Sequence, residues 1–234
     1  MKEAMKKIKS QGYWRVNIHP LTFIKDRIPS LSQCEEIIRN AAVELRGWPY
    51  PTAHYNIPIG RGQNWIQVVA DYDDEIDVWR FYQSGQFIQF LALREDLMDL
   101  EPIKNRTIPP REITKPVLCL EYTVYLLTEI FEFLSRLAKQ GIYKEGVEIK
   151  IELVNTENRK LFIFDPMRAG FLEDYKTSDS KLSYQKTINE EEIIEKPKDF
   201  ALEAILWFID RFGWKNPNVT SIKDMQQKLL ERRL

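Results

Sequence analysis

Apolar and polar residues alternate along Asp77 to Phe90, D-V-W-R-F-Y-Q-S-G-Q-F-I-Q-F, and the alternation breaks only at Ser84-Gly85. Period-two patterning on both sides of a glycine-bearing turn predicts a β-hairpin closed by a tight two-residue connection. Trp79 and Phe81 then share one face of the first arm, while Val78, Arg80 and Tyr82 share the other. Asn64 to Tyr72 alternates in the same way and meets the first arm through a turn at Asp73-Asp74, so three consecutive strands make an antiparallel meander. Gly12 to His19 alternates and stops at Pro20, which predicts a short strand. Val147 to Leu153 alternates strictly, and Lys160 to Phe164 is expected to return beside it as the second arm of another hairpin closed by Asp165-Pro166. Lys181 to Ile188 reads as one further strand.

The period lengthens in the remaining segments. Val117, Leu120, Val124, Leu127, Phe131, Leu134 and Ala138 are three or four apart, and Leu126, Ile130, Phe133 and Leu137 add a flanking stripe, so the strongest helix runs to Gly141. Its apolar face is too wide for a two-stranded seam, which predicts a central helix packed under a sheet. A capping Ser30 or Ser32 opens a helix over 31–46 stopped by Gly47, Phe200 to Phe212 is a buried helix stopped by Gly213, and Ser221 to Arg232 is amphipathic. Asn189 to Lys196 reads as an acidic solvated run. Prolines at 49, 51 and 58 with glycines at 60 and 62 make 48–62 an aromatic-rich loop. Prolines at 102, 109, 110 and 116 mark a connector, dividing the chain into an N-terminal half over 1–100 and a C-terminal half over 115–234, or crossing one continuous domain. Strands without regular β-α-β alternation predict an α+β fold, an antiparallel sheet of hairpins and meander packed against a long central helix and further helices.

Composition narrows the function classes. The 234 residues are 44% hydrophobic and 29% charged, which is globular and outside the disordered class. Lys plus Arg (34) nearly cancels Asp plus Glu (35), so no global field holds a nucleic acid or an anionic membrane, although a local basic patch remains open. Cys34 and Cys119 fall in apolar segments expected to be helical, the usage of buried thiols in a reduced cytoplasmic protein rather than of a disulfide. The lysine-rich start has no apolar core or cleavage site after it. Glu121, Glu129, Glu132 and Arg136 interrupt the longest apolar stretch, which argues against a membrane span.

Catalytic chemistry is thinly supplied. A nucleophilic site would need His19 or His54, the two histidines of the chain, and neither lies in a nucleophile context. Asp71, Asp73, Asp74, Glu75 and Asp77 offer oxygen ligands to Mg²⁺ or Ca²⁺ without the spacing of a calcium loop, and acids in a turn between strands are ordinarily solvated. Glu148-Ile-Lys150 has the E-x-K spacing of some metal-dependent nucleases, but alternating Glu and Lys is also common on the wet face of a sheet. Gly60-Arg-Gly62 resembles a fragment of a phosphate loop, yet a strand rather than a helix follows it. No cofactor is expected. What stands out is a set of aromatic and arginine side chains, Trp48, Tyr50, His54, Arg61, Arg80 and Tyr82, expected to form a binding rim in which guanidinium groups pair with carboxylate or phosphate and rings stack on an apolar or base-like group.

G-Y-W-R-V-N-I-H-P from Gly12, R-G-W-P-Y-P from Arg46, W-R-F-Y-Q-S-G-Q-F from Trp79 and A-I-L-W-F-I-D-R-F-G-W from Ala204 resemble an uncharacterised bacterial domain associated with DNA-binding and phage-defence proteins of mobile gene islands. The resemblance covers most of the chain, implies an accessory or sensing role, and transfers no catalytic residue. The expectation is therefore a non-enzymatic cytoplasmic recognition or sensor module that binds a partner protein or nucleic acid. A metal-dependent nuclease using Glu148, Lys150 and the acids Asp71, Asp73 and Asp74 is the alternative.

Overall fold

The computed structural model describes residues 1–53, 57–100, 113–165 and 168–233. Its centre is a seven-stranded sheet with every neighbouring pair antiparallel. The strands are β1 (Tyr13–Pro20), β2 (Gly60–Arg61), β3 (Trp65–Asp71), β4 (Ile76–Tyr82), β5 (Phe87–Ala92), β7 (Val147–Val154) and β9 (Lys181–Ile188), in the spatial order β2-β3-β4-β5-β1-β7-β9. The meander of β3, β4 and β5 forms as the alternation predicts. β1 then lies between β5 and β7, with Val16 opposite Gln89 on one side and Ile151 on the other. The sheet takes strands from both sides of the proline-rich connector, of which residues 101–112 lie outside the described set.

Period two sorts the strand side chains. Trp14, Val16, Ile18, Ile66, Val68, Trp79, Phe81, Phe87, Ile149, Ile151 and Leu153 all point to one side and are buried. That inner face is covered by α2 (Leu31–Ala41), α4 (Leu120–Lys139), α5 (Glu190–Glu195), α6 (Pro197–Arg211) and α7 (Val219–Leu230). The long α4 lies under the sheet: Phe133 meets Phe87 edge-on at 5.0 Å between ring centres, and Phe131 stacks on Phe200 of α6 at 6.4 Å. A helix buried on this many sides needs the wide apolar face seen in its sequence. The outer face is covered only in part, by α1 (Lys2–Lys9), which seats Ala4 and Ile8 against Ile76, Val78 and Ala92. α3 (Arg94–Leu97) is a single turn after β5.

Several expectations are corrected. The β4–β5 connection has three residues, Gln83 to Gly85: the Gly85 N–H donates to the Tyr82 carbonyl and the Tyr82 N–H to the Gln86 carbonyl, with Gly85 at φ +85°. This is the bulged turn in which a glycine takes the left-handed position. β8 (Lys160–Phe162) does not pair with β7, because β1 and β9 occupy both of its edges; it pairs in parallel with β6 (Val117–Cys119). Residues 117–119 are accordingly strand rather than helix, and Cys119 stands at the N-terminus of α4 instead of inside it. Cys34 and Cys119 are both free and buried. The first helix after β1 ends at Ala41 rather than 46, and the acidic run at 190–195 is the short helix α5, capped by Asn189.

Candidate functional site

Two regions gather the chemistry. The first is a groove on the outer face beside α1, enclosing about 630 Å³ open to solvent and lined by Met1, Met5, Arg15, Gln67, Arg80, Tyr82, Ile88 and Phe90 among others. Cross-strand register builds it: Gln67, Arg80, Ile88, Asn17 and Lys150 fall in one row across five strands, and Val78, Phe90, Arg15 and Glu152 in the next. Arg80 lies over the Trp65 ring with its guanidinium carbon 4.1 Å from the ring centre. Its Nε and Nη2 donate to Gln67 Oε1 at 3.1 and 2.6 Å, and its Nη1 to the Tyr82 hydroxyl at 3.4 Å. The remaining contact, 3.4 Å to Met1 Sδ, is also neutral, so no acid compensates Arg80 among the described residues. Arg15 covers Phe90 at 5.7 Å and donates to Glu152, whose single carboxylate also faces Lys150 at 3.6 Å and Lys181 at 3.4 Å. His19 meets Glu148 at 3.0 Å.

Counting the outward strand positions and α1 together, Lys2, Lys6, Lys7, Lys9, Arg15, Arg80, Lys150 and Lys181 oppose Glu3, Asp71, Glu148 and Glu152, eight cations against four anions. The whole chain carries a formal charge of −1. The excess positive charge is therefore local to this face.

The second region is a cleft at one end of the sheet, about 540 Å³ counting the solvent at its open mouth, lined by Arg46, Trp48, Glu75, Arg94, Glu95, Tyr122 and apolar neighbours. The segment 43–50 forms a small loop whose ends, Val43 and Tyr50, exchange two backbone hydrogen bonds of 2.9 and 2.7 Å. Arg46 at its tip pairs bidentately with Glu129 of α4, at 3.0 and 2.5 Å, and lies 5.1 Å from the Trp48 ring. Arg94 is 5.7 Å from both the Trp48 and the Tyr122 rings and donates to Asp74 at 2.8 Å.

Behind the cleft lies a buried polar network. Gln89 Nε2 donates to both oxygens of Asp77, the Thr52 N–H donates to Asp77, and the Tyr50 hydroxyl donates to Gln89 at 2.6 Å. Burial pushes the Asp77 carboxyl up to about 7, and it does the same to Glu95, which accepts from the Cys119 N–H at 2.6 Å. Neither carboxylate forms a salt bridge with a cation among the described residues.

The sequence-derived rim is dispersed. Arg80 and Tyr82 share the outer groove; Trp48 lines the cleft at the sheet end; Arg61 pairs with Glu35 of α2 at 2.7 Å on the inner side. Tyr50 is a core residue, packed edge-on against Phe133, because its loop folds back onto the sheet. His54 lies outside the described residues. The nuclease set does not converge either: β7, which carries Glu148 and Lys150, is four strand spacings from β3, about 19 Å. Asp71 pairs with Lys7 and Asp74 with Arg94, and no group of three or more His, Cys, Asp or Glu placed to hold a metal ion occurs among the described residues. The groove's cation excess and the Asp77–Gln89–Tyr50 network were not anticipated from sequence. A signal for the first lay in Lys2, Lys6 and Lys9, which recur at helical spacing. No family model, curated protein or solved structure matches the chain.

Proposed function

We propose that this chain is a non-enzymatic recognition module whose outer groove binds single-stranded nucleic acid, as an accessory or sensor component of bacterial phage defence. The observation that carries the reading is Arg80, a cation held over the Trp65 ring by neutral partners alone among the described residues. A guanidinium without an acid on a partly exposed face is available to a phosphate, to which it can present parallel N–H groups. Tyr82 and Phe90 offer ring surface on which bases stack regardless of sequence, and Arg15 with the lysines of α1 supplies the positive lining that tracks a backbone. A sheet face bearing aromatics suits unpaired bases rather than a duplex. The bacterial association rests on the sequence resemblance, and the absence of a catalytic assignment rests on the dispersal of the acids.

Anisotropy of fluorescent single-stranded DNA and RNA oligonucleotides, with a duplex of the same sequence as control, tests the reading. Single strands should bind more tightly than the duplex, with affinity falling steeply as salt rises. Arg80→Ala should cost about 2 kcal/mol or more of binding while leaving the melting temperature unchanged. Unaltered affinity in that variant sinks the assignment of the groove. Cleavage of either strand with Mg²⁺ or Mn²⁺, abolished by Glu148→Ala, assigns the face to a nuclease instead.

A further inference from the structure

The cleft at the sheet end is separate from the outer groove and has its own chemistry. Arg94 Nε is buried and has no hydrogen-bond partner among the described residues, an exception to the rule that buried donors are satisfied. The other described hydrogen bond of this guanidinium goes to Asp74, on the turn between β3 and β4, whose side chain is 59% exposed. A pair so exposed is weakly held and gives way to a better acceptor. Arg46, by contrast, is committed: its Nε and Nη2 both donate to Glu129, which has no solvent exposure. The cleft therefore holds one fixed arginine and one displaceable one, with the Trp48 and Tyr122 rings beside the latter and Trp14, Leu91, Leu93 and Leu126 as an apolar floor.

We infer that this cleft binds a small molecule with a flat apolar body and one carboxylate or phosphate end, the oxyanion taking Arg94 from Asp74 and the body lying against Trp48. Released from Asp74, the guanidinium can turn its Nε–H and Nη–H fork, buried on the Nε side, toward two acceptor oxygens of such a group, and so complete the hydrogen bonding that Asp74 leaves open. Glu75 and Asp74 border the same cleft, so each further negative charge on the ligand weakens binding, and singly charged indole-3-acetate should bind more tightly than AMP, whose phosphate carries close to two charges at neutral pH.

Calorimetric titration of the intact chain tests this, using AMP, indole-3-acetate, adenosine, inorganic phosphate and spermidine as probes. Indole-3-acetate or AMP should bind, with adenosine and phosphate, which each lack one half of the chemistry, weaker by about tenfold or more. Response to indole-3-acetate alone identifies a carboxylate ligand, and response to AMP alone a phosphate one. Arg94→Ala should abolish binding, and Arg94→Lys should not restore it, because a point charge lacks the fork. Asp74→Ala should tighten binding by removing the competitor, a change that a purely structural Arg94–Asp74 pair would not produce. Lys223→Ala, exposed on α7 and away from both the cleft and the outer groove, serves as the control and should leave this titration unchanged. Silence of both AMP and indole-3-acetate, binding of spermidine in their place, or binding indifferent to both Arg94→Ala and Asp74→Ala overturns the inference.

Discussion

Glu129 has no exposed surface and sits within α4, where Arg46 is its described ion-pair partner. Burial raises its pKa and the guanidinium opposes that rise, so the pair holds the 43–50 loop against the helix only while both members are present. Arg46→Ala should destabilise the fold by about 3–5 kcal/mol in urea titrations, since it strands a buried charge, whereas a paired Arg46→Met, Glu129→Leu replacement should recover most of that loss. Asp77 and Glu95 behave differently because they lack such a partner among the described residues. Their folded-state pKa values, about 7 for each, lie above the ordinary carboxylate values of 3.8 and 4.5, so the folded chain binds more protons than the unfolded one between roughly pH 4 and 7. The stabilisation from these two groups is complete below about pH 4, is lost as pH rises through 7, and is flat beyond it. Melting temperature followed from pH 5 to pH 8 should fall on this account, and Asp77→Asn should flatten part of the slope; an unchanged slope would show that Asp77 does not titrate there. The facing of Arg80 and Tyr82 was legible in the alternation of their strand. That of Trp48 and Tyr50 was not: prolines and a glycine announce irregular backbone, but only the fold-back onto Gln89 and Glu129 decides which ring enters the core.

At the level of elements, turn chemistry and edge availability explain what local pattern left open. Gly85 at φ +85° closes β4 onto β5, and an added Cβ would meet Ile142 Cγ2 at 2.8 Å. Gly85→Ala should therefore cost more than the roughly 1 kcal/mol typical of backbone strain alone, measured as a lowered denaturation midpoint with an unchanged m-value. Alternation showed that 160–164 is extended without choosing its partner, because period two specifies a face and not a neighbour. With β1 and β9 on either edge of β7, β8 turns to β6, and buried Arg159 fastens that region by reaching Asp96 and the Val117 carbonyl. The run from Val117 to Cys119 is apolar throughout, a pattern that fits a buried strand as well as a helix until a partner strand is present.

For the molecule as a whole, β1 is the strand that joins the two halves, since it hydrogen-bonds to β5 on one side and β7 on the other. Residues 113–234 expressed alone would leave one edge of β7 and the sheet-facing side of α4 uncovered, and are expected to lack a cooperative thermal transition, while co-expression with residues 1–100 should restore it. Cooperative melting of the C-terminal half by itself would show instead that it is an independent folding unit. The α+β class, the meander, the long helix and the inner and outer faces of each strand were determined by the sequence itself, because they follow from periodicities that act within a few residues. Tertiary structure alone decided that β1 lies at mid-sheet, that α1 covers only part of the outer face, and that among the described residues Arg80 lacks an acid while Arg46 has one. These outcomes depend on which distant segments compete for one edge, one face or one charge, and that competition is resolved only when the whole chain packs.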